Sequence, residues 1–299
     1  MGYAMAKNLR ARIPAEDVLI IQDINTAATK QFVEEAGIQK IKVADTVRQV
    51  AEEAETIITA LPEPQHVKAV YSAMLDPPTL LTSTSIQSPR LFIDSSTIDI
   101  TTSAEVAALA QGSKQGIFID APMSGGVVGA QAGTLSFMVG CEPEHLERAS
   151  AVLMMMGKRV LHLGRQGAGL KGKLANNYLL ALNNLATAEA MNMGVQWGLE
   201  PKALANMINL STGKCWPSEV NNPVPGVVEA APSSRGYEGG FGVGLANKDL
   251  KLALKDAHEA GVKIVLGDVA KQLYDAVEKD EKCKGRDFSV VYRYLGGKE

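Results

Sequence analysis

The chain predicts an α/β fold: a doubly wound, mostly parallel sheet followed by an all-helical domain. Three observations carry this. Residues 1–163 alternate short apolar strands with helical patterns, the signature of a parallel sheet covered by helices on both faces. From Gly164 onward only helical periodicity remains. The length of 299 residues suits two domains at about 150 residues each. The expected domains are 1–163 and 164–299, the second opened by a long helix.

Taken in order, Ala4-Met5-Ala6-Lys7-Asn8-Leu9 is helical, and Val18-Leu19-Ile20-Ile21 is a β-branched run ending at Gln22-Asp23. Thr26–Ala36 reads as a helix with Gly37 as its stop. A weaker strand covers 38–43, and a helix covers 44–55 with Asp45 as candidate N-cap. The strand at 56–61 is stopped by Pro62 and Pro64. Leu91-Phe92-Ile93 ends in Asp94-Ser95-Ser96-Thr97, a helix follows at 102–110, and Ile117-Phe118-Ile119 ends in Asp120-Ala121-Pro122. Strands at 135–139 and 160–163 complete the sheet. Gly164, Gly167, Gly169 and Gly172 read as a flexible lead-in to a helix at 170–197, stopped by Gly198. Along it Leu174, Tyr178, Leu182, Leu185, Ala188 and Met191 recur at three- and four-residue spacing, so one side packs. Pro201 opens a helix reaching Leu210. Residues 221–240, rich in Pro, Gly, Ser and Asn, read as a long loop before helical patterns at 244–260, 262–279 and 287–295.

Composition excludes several function classes. The hydrophobic share is 46% and the net charge is −3, so neither disorder nor a nucleic-acid or acidic-lipid surface driven by bulk basicity fits. No apolar run reaches the roughly 18 to 20 residues of a membrane span. Cys141, Cys215 and Cys283 are odd in number and widely spaced, which gives no disulfide framework. His66, His145, His162 and His258 form no paired-ligand pattern, so no metal is expected. No G-x-S-x-G elbow suggests a hydrolase.

Four constellations are suited to chemistry. Gly2 stands at a helix start, and Asp23 follows at the end of a strand about 20 residues on, the separation of a dinucleotide fingerprint's last glycine from its ribose-binding acid. A helix and then a strand ending in a turn Asp gives the same pattern. Ser124-Gly125-Gly126 offers a hydroxyl and unshielded backbone N–H groups that suit a carboxylate or phosphate; a tight turn favours the same residues. Lys173 and Asn177, four apart, share a helix face flanked by Leu170 and Leu174, with Lys171 as a second nearby cation. A lysine facing an apolar cleft suits general acid/base work, whereas most helix lysines are simply solvated. Finally, Lys248-Asp249 opens a helix, either as a surface ion pair or as a cation facing the cleft.

In their order along the chain, these features resemble the β-hydroxyacid dehydrogenase family. The resemblance is carried by Met1-Gly2-x-x-Met5-Ala6-x-Asn8-Leu9, Asp94-Ser95-Ser96-Thr97-Ile98-Asp99, Asp120-Ala121-Pro122-Met123-Ser124-Gly125-Gly126-Val127 and the Gly/Lys/Asn run at 164–177. Ser211-x-Gly213-Lys214-Cys215-Trp216, Asn222-Pro223-Val224-Pro225-Gly226 and the run 241–250 extend it over almost the whole chain. It implies a Rossmann-like cofactor domain and NAD-dependent oxidation of 3-hydroxyisobutyrate to methylmalonate semialdehyde, a step of valine breakdown. A tartronate or succinic semialdehyde type of substrate is the alternative, as is a non-catalytic binding or oligomerising module.

By the same resemblance, Lys173 is the catalytic acid/base, and Ser124, Gly125, Gly126 and Asn177 bind substrate. Met1, Gly2, Asp23, Leu61, Pro62, His66, Thr97 and Lys248 bind NAD, with Asp23 disfavouring NADP. His66 falls where relatives commonly carry Asn, and Met123 where they carry Val. The family implies a small hydroxy-acid substrate, a homodimer or homotetramer, and no nucleic-acid or membrane partner. It implies the mitochondrial matrix in a eukaryote or the cytoplasm in a bacterium. Relatives also have an apolar strand and a Gly-x-Gly turn before the position of Met1. The expectation is therefore a fragment or an internally started frame, with a cofactor domain short of its first, central strand.

Overall fold

A computed structural model describes residues 1–36, 40–77 and 89–299. Gly37, Ile38 and Gln39, expected as a helix stop and a strand start, lie outside the described residues. The chain divides into two compact units, Met1–Lys173 and Leu174–Glu299.

The first unit alternates α1 (Gly2–Arg12), β1 (Leu19–Ile21), α2 (Thr26–Ala36), β2 (Ile41–Val43), α3 (Val47–Glu53), β3 (Thr56–Thr59), α4 (Pro64–Leu75), β4 (Arg90–Asp94), α5 (Ile100–Ser113) and β5 (Gly116–Asp120). It continues through β6 (Met123–Ser124), α6 (Gly126–Ala132), β7 (Leu135–Gly140), α7 (Pro143–Leu153) and β8 (Gly157–Gly164) to the 29-residue helix α8 (Ala168–Gln196). Strands β3, β4 and β5 are parallel, with Thr59, Asp94 and Asp120 level at their carboxyl ends. Strand β7 then runs antiparallel to β5 and β6, and β8 runs parallel to β7. Leu91, Ile93, Ile119, Phe137 and Val139 pack on one side with Met5 of α1, and Phe92, Tyr71 and Val106 pack on the other.

Among the described residues β1 and β2 pair only with each other, apart from the six-stranded sheet.

The local signals explain most boundaries. Asp99 caps α5 by accepting from the Thr102 amide, and Pro64 and Pro143 sit in the first turns of α4 and α7. Thr46, not Asp45, caps α3: its hydroxyl accepts from the Gln49 amide at 3.1 Å. The glycines at 167, 169 and 172 are not a flexible lead-in: Gly169 and Gly172 lie within α8, and the Gly167 amide just before it is bound by Asp120. A Cβ at Gly169 would collide with the Met138 carbonyl, so this glycine permits close approach of helix to sheet.

The second unit continues α8 and adds α9 (Pro201–Leu210), α10 (Trp216–Glu219), α11 (Val243–Glu259), α12 (Gly267–Lys279) and α13 (Val291–Tyr294). Its core gathers Met191, Leu250, Tyr274, Val277, Phe288 and Val291. The segment expected as a long loop carries a 3-10 turn at Pro232–Arg235 and buries Asn221, Asn222, Ser233 and Tyr237. Side chains supply partners that strand or helix would otherwise give: Ser233 donates to the Asn222 carbonyl, and Asp287, outside the segment, accepts from Asn221 Nδ2 and the Phe241 amide.

Candidate active site

In the first unit the candidate groups sit at strand ends and helix starts. Met1 is the N-cap of α1 without a side-chain hydrogen bond, and no acidic residue lies in the first turn. The amides there are therefore available to an anion. Gly2 is exposed, and a Cβ on it would meet open space, so packing does not require glycine at this position. Asp23 is exposed just beyond β1 and accepts from the Asn25 amide at 2.8 Å.

Leu61 and Pro62 lie after β3 and Thr97 after β4, and Leu61 is held by a buried network around Asp94. The Asp94 carboxylate accepts from Thr59 Oγ1 at 2.7 Å and from Ser96 Oγ at 2.6 Å. Ser96 Oγ in turn accepts from the Leu61 amide at 2.8 Å. Burial raises the Asp94 pKa, and the hydrogen bonds from Ser96 and Thr59 oppose the rise. The sequence marks this strand end as polar, but nothing in it singles out Asp94 as the hub. His66 is exposed on α4, its amide donating to the Glu63 carbonyl.

Ser124 ends β6, and Gly125 and Gly126 turn the chain into α6 with φ of 127° and 61°. A side chain at either would be strained, so the exposed turn is committed to bare backbone. Asn8 of α1 secures α6 by donating to the Ala130 carbonyl at 2.7 Å. The half-buried Met123 packs into the sheet core where an aliphatic residue was expected.

The helix α8 carries Lys173 and Asn177 one turn apart, and both are buried. Lys171 is exposed on another face. In the second unit Asn177 Nδ2 donates to Asp249 Oδ2 at 2.7 Å, and the other Asp249 oxygen faces Lys248 Nζ at 3.2 Å. Asp249 is only 4% exposed, so the pair it makes with Lys248 is an interior one rather than a surface ion pair. The sequence offers Asp249 only as the neighbour of Lys248; its hold on Asn177, 72 positions away, is not legible from spacing.

Among the described residues there is no cluster of three His, Cys, Asp or Glu side chains placed to hold a metal ion, and no helix is long and apolar enough to cross a membrane.

Comparison with known proteins adds to this geometry. A family model described as the NAD binding domain of 6-phosphogluconate dehydrogenase matches residues 1–164. Another, described as NAD-binding of NADP-dependent 3-hydroxyisobutyrate dehydrogenase, matches residues 167–295. The chain is 43% identical over 300 residues to the mitochondrial 3-hydroxyisobutyrate dehydrogenase of Rattus norvegicus, covering 100% of this chain and 85% of that one. It is 44% identical over 255 residues to the probable mitochondrial enzyme of Dictyostelium discoideum, covering 85% and 77% of the two chains. The solved structure of Mycobacterium tuberculosis 3-hydroxyisobutyrate dehydrogenase with L-serine superposes with a TM-score of 0.87 at 36% identity, covering 99% of this chain and 95% of that one.

Proposed function

This chain belongs to the 3-hydroxyisobutyrate dehydrogenase family, and on that premise we propose how its residues carry out the reaction. The protein is an NAD-dependent oxidoreductase that converts 3-hydroxyisobutyrate to methylmalonate semialdehyde, a step of valine catabolism. One observation supports the site assignment above the others: Lys173 is buried on α8 one turn from Asn177, whose amide is itself anchored to a buried carboxylate.

The residues fit a dinucleotide. The uncapped start of α1 at Met1 and Gly2 suits the pyrophosphate, and the exposed Asp23 suits the ribose hydroxyls. A carboxylate there repels an added 2′-phosphate, so NAD is preferred over NADP. Leu61, Pro62, Thr97, His66 and Lys248 belong to the same cofactor set. When bound, the nicotinamide supplies the hydride acceptor. Ser124 and the amides of Gly125 and Gly126 hold the substrate carboxylate by charge-assisted hydrogen bonds. Asn177 orients the hydroxyl-bearing carbon. Lys173, as the free amine, accepts the hydroxyl proton as the carbonyl forms.

A homodimer or homotetramer is the assembly that the family resemblance implies, and the exposed Leu179, Met193, Met207 and Leu210 are apolar side chains that such an assembly could cover. The curated relatives named as mitochondrial support a matrix location in a eukaryote.

The test is NAD reduction by the full chain with 3-hydroxyisobutyrate, glycerate and 4-hydroxybutyrate. The highest kcat/KM is expected with 3-hydroxyisobutyrate. A higher value with either of the others overturns the substrate assignment.

A further inference from the structure

Asp120 closes β5 and is fully buried, yet it takes no part in the chemistry described above. Its two carboxylate oxygens point at the start of α8. One accepts from the Gly167 amide at 2.5 Å and the other from the Leu170 amide at 2.9 Å. These are two of the N–H groups that a helix start leaves without partners. A negative charge at that end also opposes the helix dipole favourably.

The surroundings are built to admit this carboxylate. A Cβ at Gly140 would collide with Asp120 itself, and one at Gly169 would press on both Asp120 and the Met138 carbonyl. Leu170, whose amide is held, is fully buried among Phe92, Ile98 and Val106, which fixes the rotation of the same turn. Lys173 lies three residues beyond Leu170, on the next stretch of the same helix.

We propose that Asp120 is a positioning residue of the dehydrogenase: by capping α8 from a neighbouring strand, it sets the height and rotation at which Lys173 is presented. This rests on the reading of Lys173 as the acid/base. Misplacing a catalytic group by about 1 Å is enough to cost on the order of 100-fold in rate.

The test compares Asp120→Ala, Asp120→Asn and Lys173→Ala in the full chain, by steady-state kinetics and by hydrogen exchange of the peptide spanning 165–176. Asp120→Ala is expected to lower kcat about 10- to 100-fold, to leave the KM for NAD within about twofold, and to speed exchange in that peptide. Asp120→Asn keeps one acceptor oxygen, so it should recover part of kcat and protect one of the two amides. Should the alanine variant not fold, the asparagine variant decides. Parent kcat together with parent exchange in Asp120→Asn overturns the proposal, as does parent kcat in a folded Asp120→Ala. If instead Lys173→Ala retains turnover, the acid/base assignment fails while the exchange data still report the cap, so the two failures are distinguishable.

Discussion

Replacing Asp249 by Ala removes one acceptor from a place where two elements of the helical unit meet. Asn177 on α8 is 5% exposed, and its Nδ2 donates to Asp249 Oδ2 at 2.7 Å. A hydrogen bond to a charged group is worth about 1.5–3 kcal/mol. The substitution also takes away the carboxylate facing Lys248 at 3.2 Å, where the lysine side chain is 17% exposed. Breaking a buried pair costs about 3–5 kcal/mol, and the partial access of Lys248 to water places this one at the lower end. The terms overlap, because both are lost with a single carboxylate, so the expected destabilisation is about 3 kcal/mol. The measurement is the denaturant midpoint of Asp249→Ala, Asn177→Ala and the double variant. The cycle should give a coupling of about 1.5–3 kcal/mol between the two positions. A coupling below about 0.5 kcal/mol, within the additivity of unconnected sites, would refute the reasoning. In Asp249→Ala kcat with 3-hydroxyisobutyrate should fall, since Asn177 loses the group that fixes its rotamer.

Lys173→Ala should lower kcat by at least about 100-fold, the usual contribution of a general acid/base; near-native turnover would end the mechanism. Asp23→Ala should narrow the ratio of kcat/KM for NAD over NADP, and an unchanged ratio would show that this carboxylate does not meet the ribose. Stability should depend on pH through Asp120, whose pKa burial lifts to about 6 against the opposing hydrogen bonds from Gly167 and Leu170, with Asp94 and the Cys141 thiol as the neighbouring titratable groups. A carboxyl raised on folding adds stability that is complete below its unfolded value near 4 and is lost as pH climbs through 6. Relative to Asp120→Asn, the parent should therefore lose about 3 kcal/mol between pH 3.5 and 7; a flat difference across that window counts against it.

The sequence made the elements legible where local chemistry sets them. Thr26–Ala36 and Pro201–Leu210 form as helices over the residues expected, and the strand ends at Asp94 and Asp120 fall where their polar runs begin. Helices α4, α6 and α7 and the two-residue strand β6 were not foreseen, because short amphipathic stretches between turns carry little periodicity. The segment at 221–240 looked open because Pro, Gly, Ser and Asn favour loops. Its two ends are tied to Asp287, which lies 66 positions from Asn221 and 46 from Phe241.

The candidate site divides along the same line. The proposed ligand groups are close in sequence to a recognisable neighbour, as Ser124 is to Gly125 and Gly126, or Lys173 to Asn177; spacing marked them as candidates, and the resemblance to a known family gave them their roles. The residues that hold Asn177 and the start of the Lys173 helix in place are single buried acids, and each binds across a long separation: Asp120 to Gly167 and Leu170, Asp249 to Asn177. A lone Asp at a strand end or helix start is an ordinary turn or cap residue until its partner is known. An isolated carboxylate is costly to bury, so an acid kept in the interior must be matched by donors that it also fixes. Where α8 begins, that requirement and the placement of Lys173 concern the same turn of helix. A neutral isostere at Asp120 would ease the first and loosen the second, which is why its stability and its kcat are expected to move in opposite directions at neutral pH.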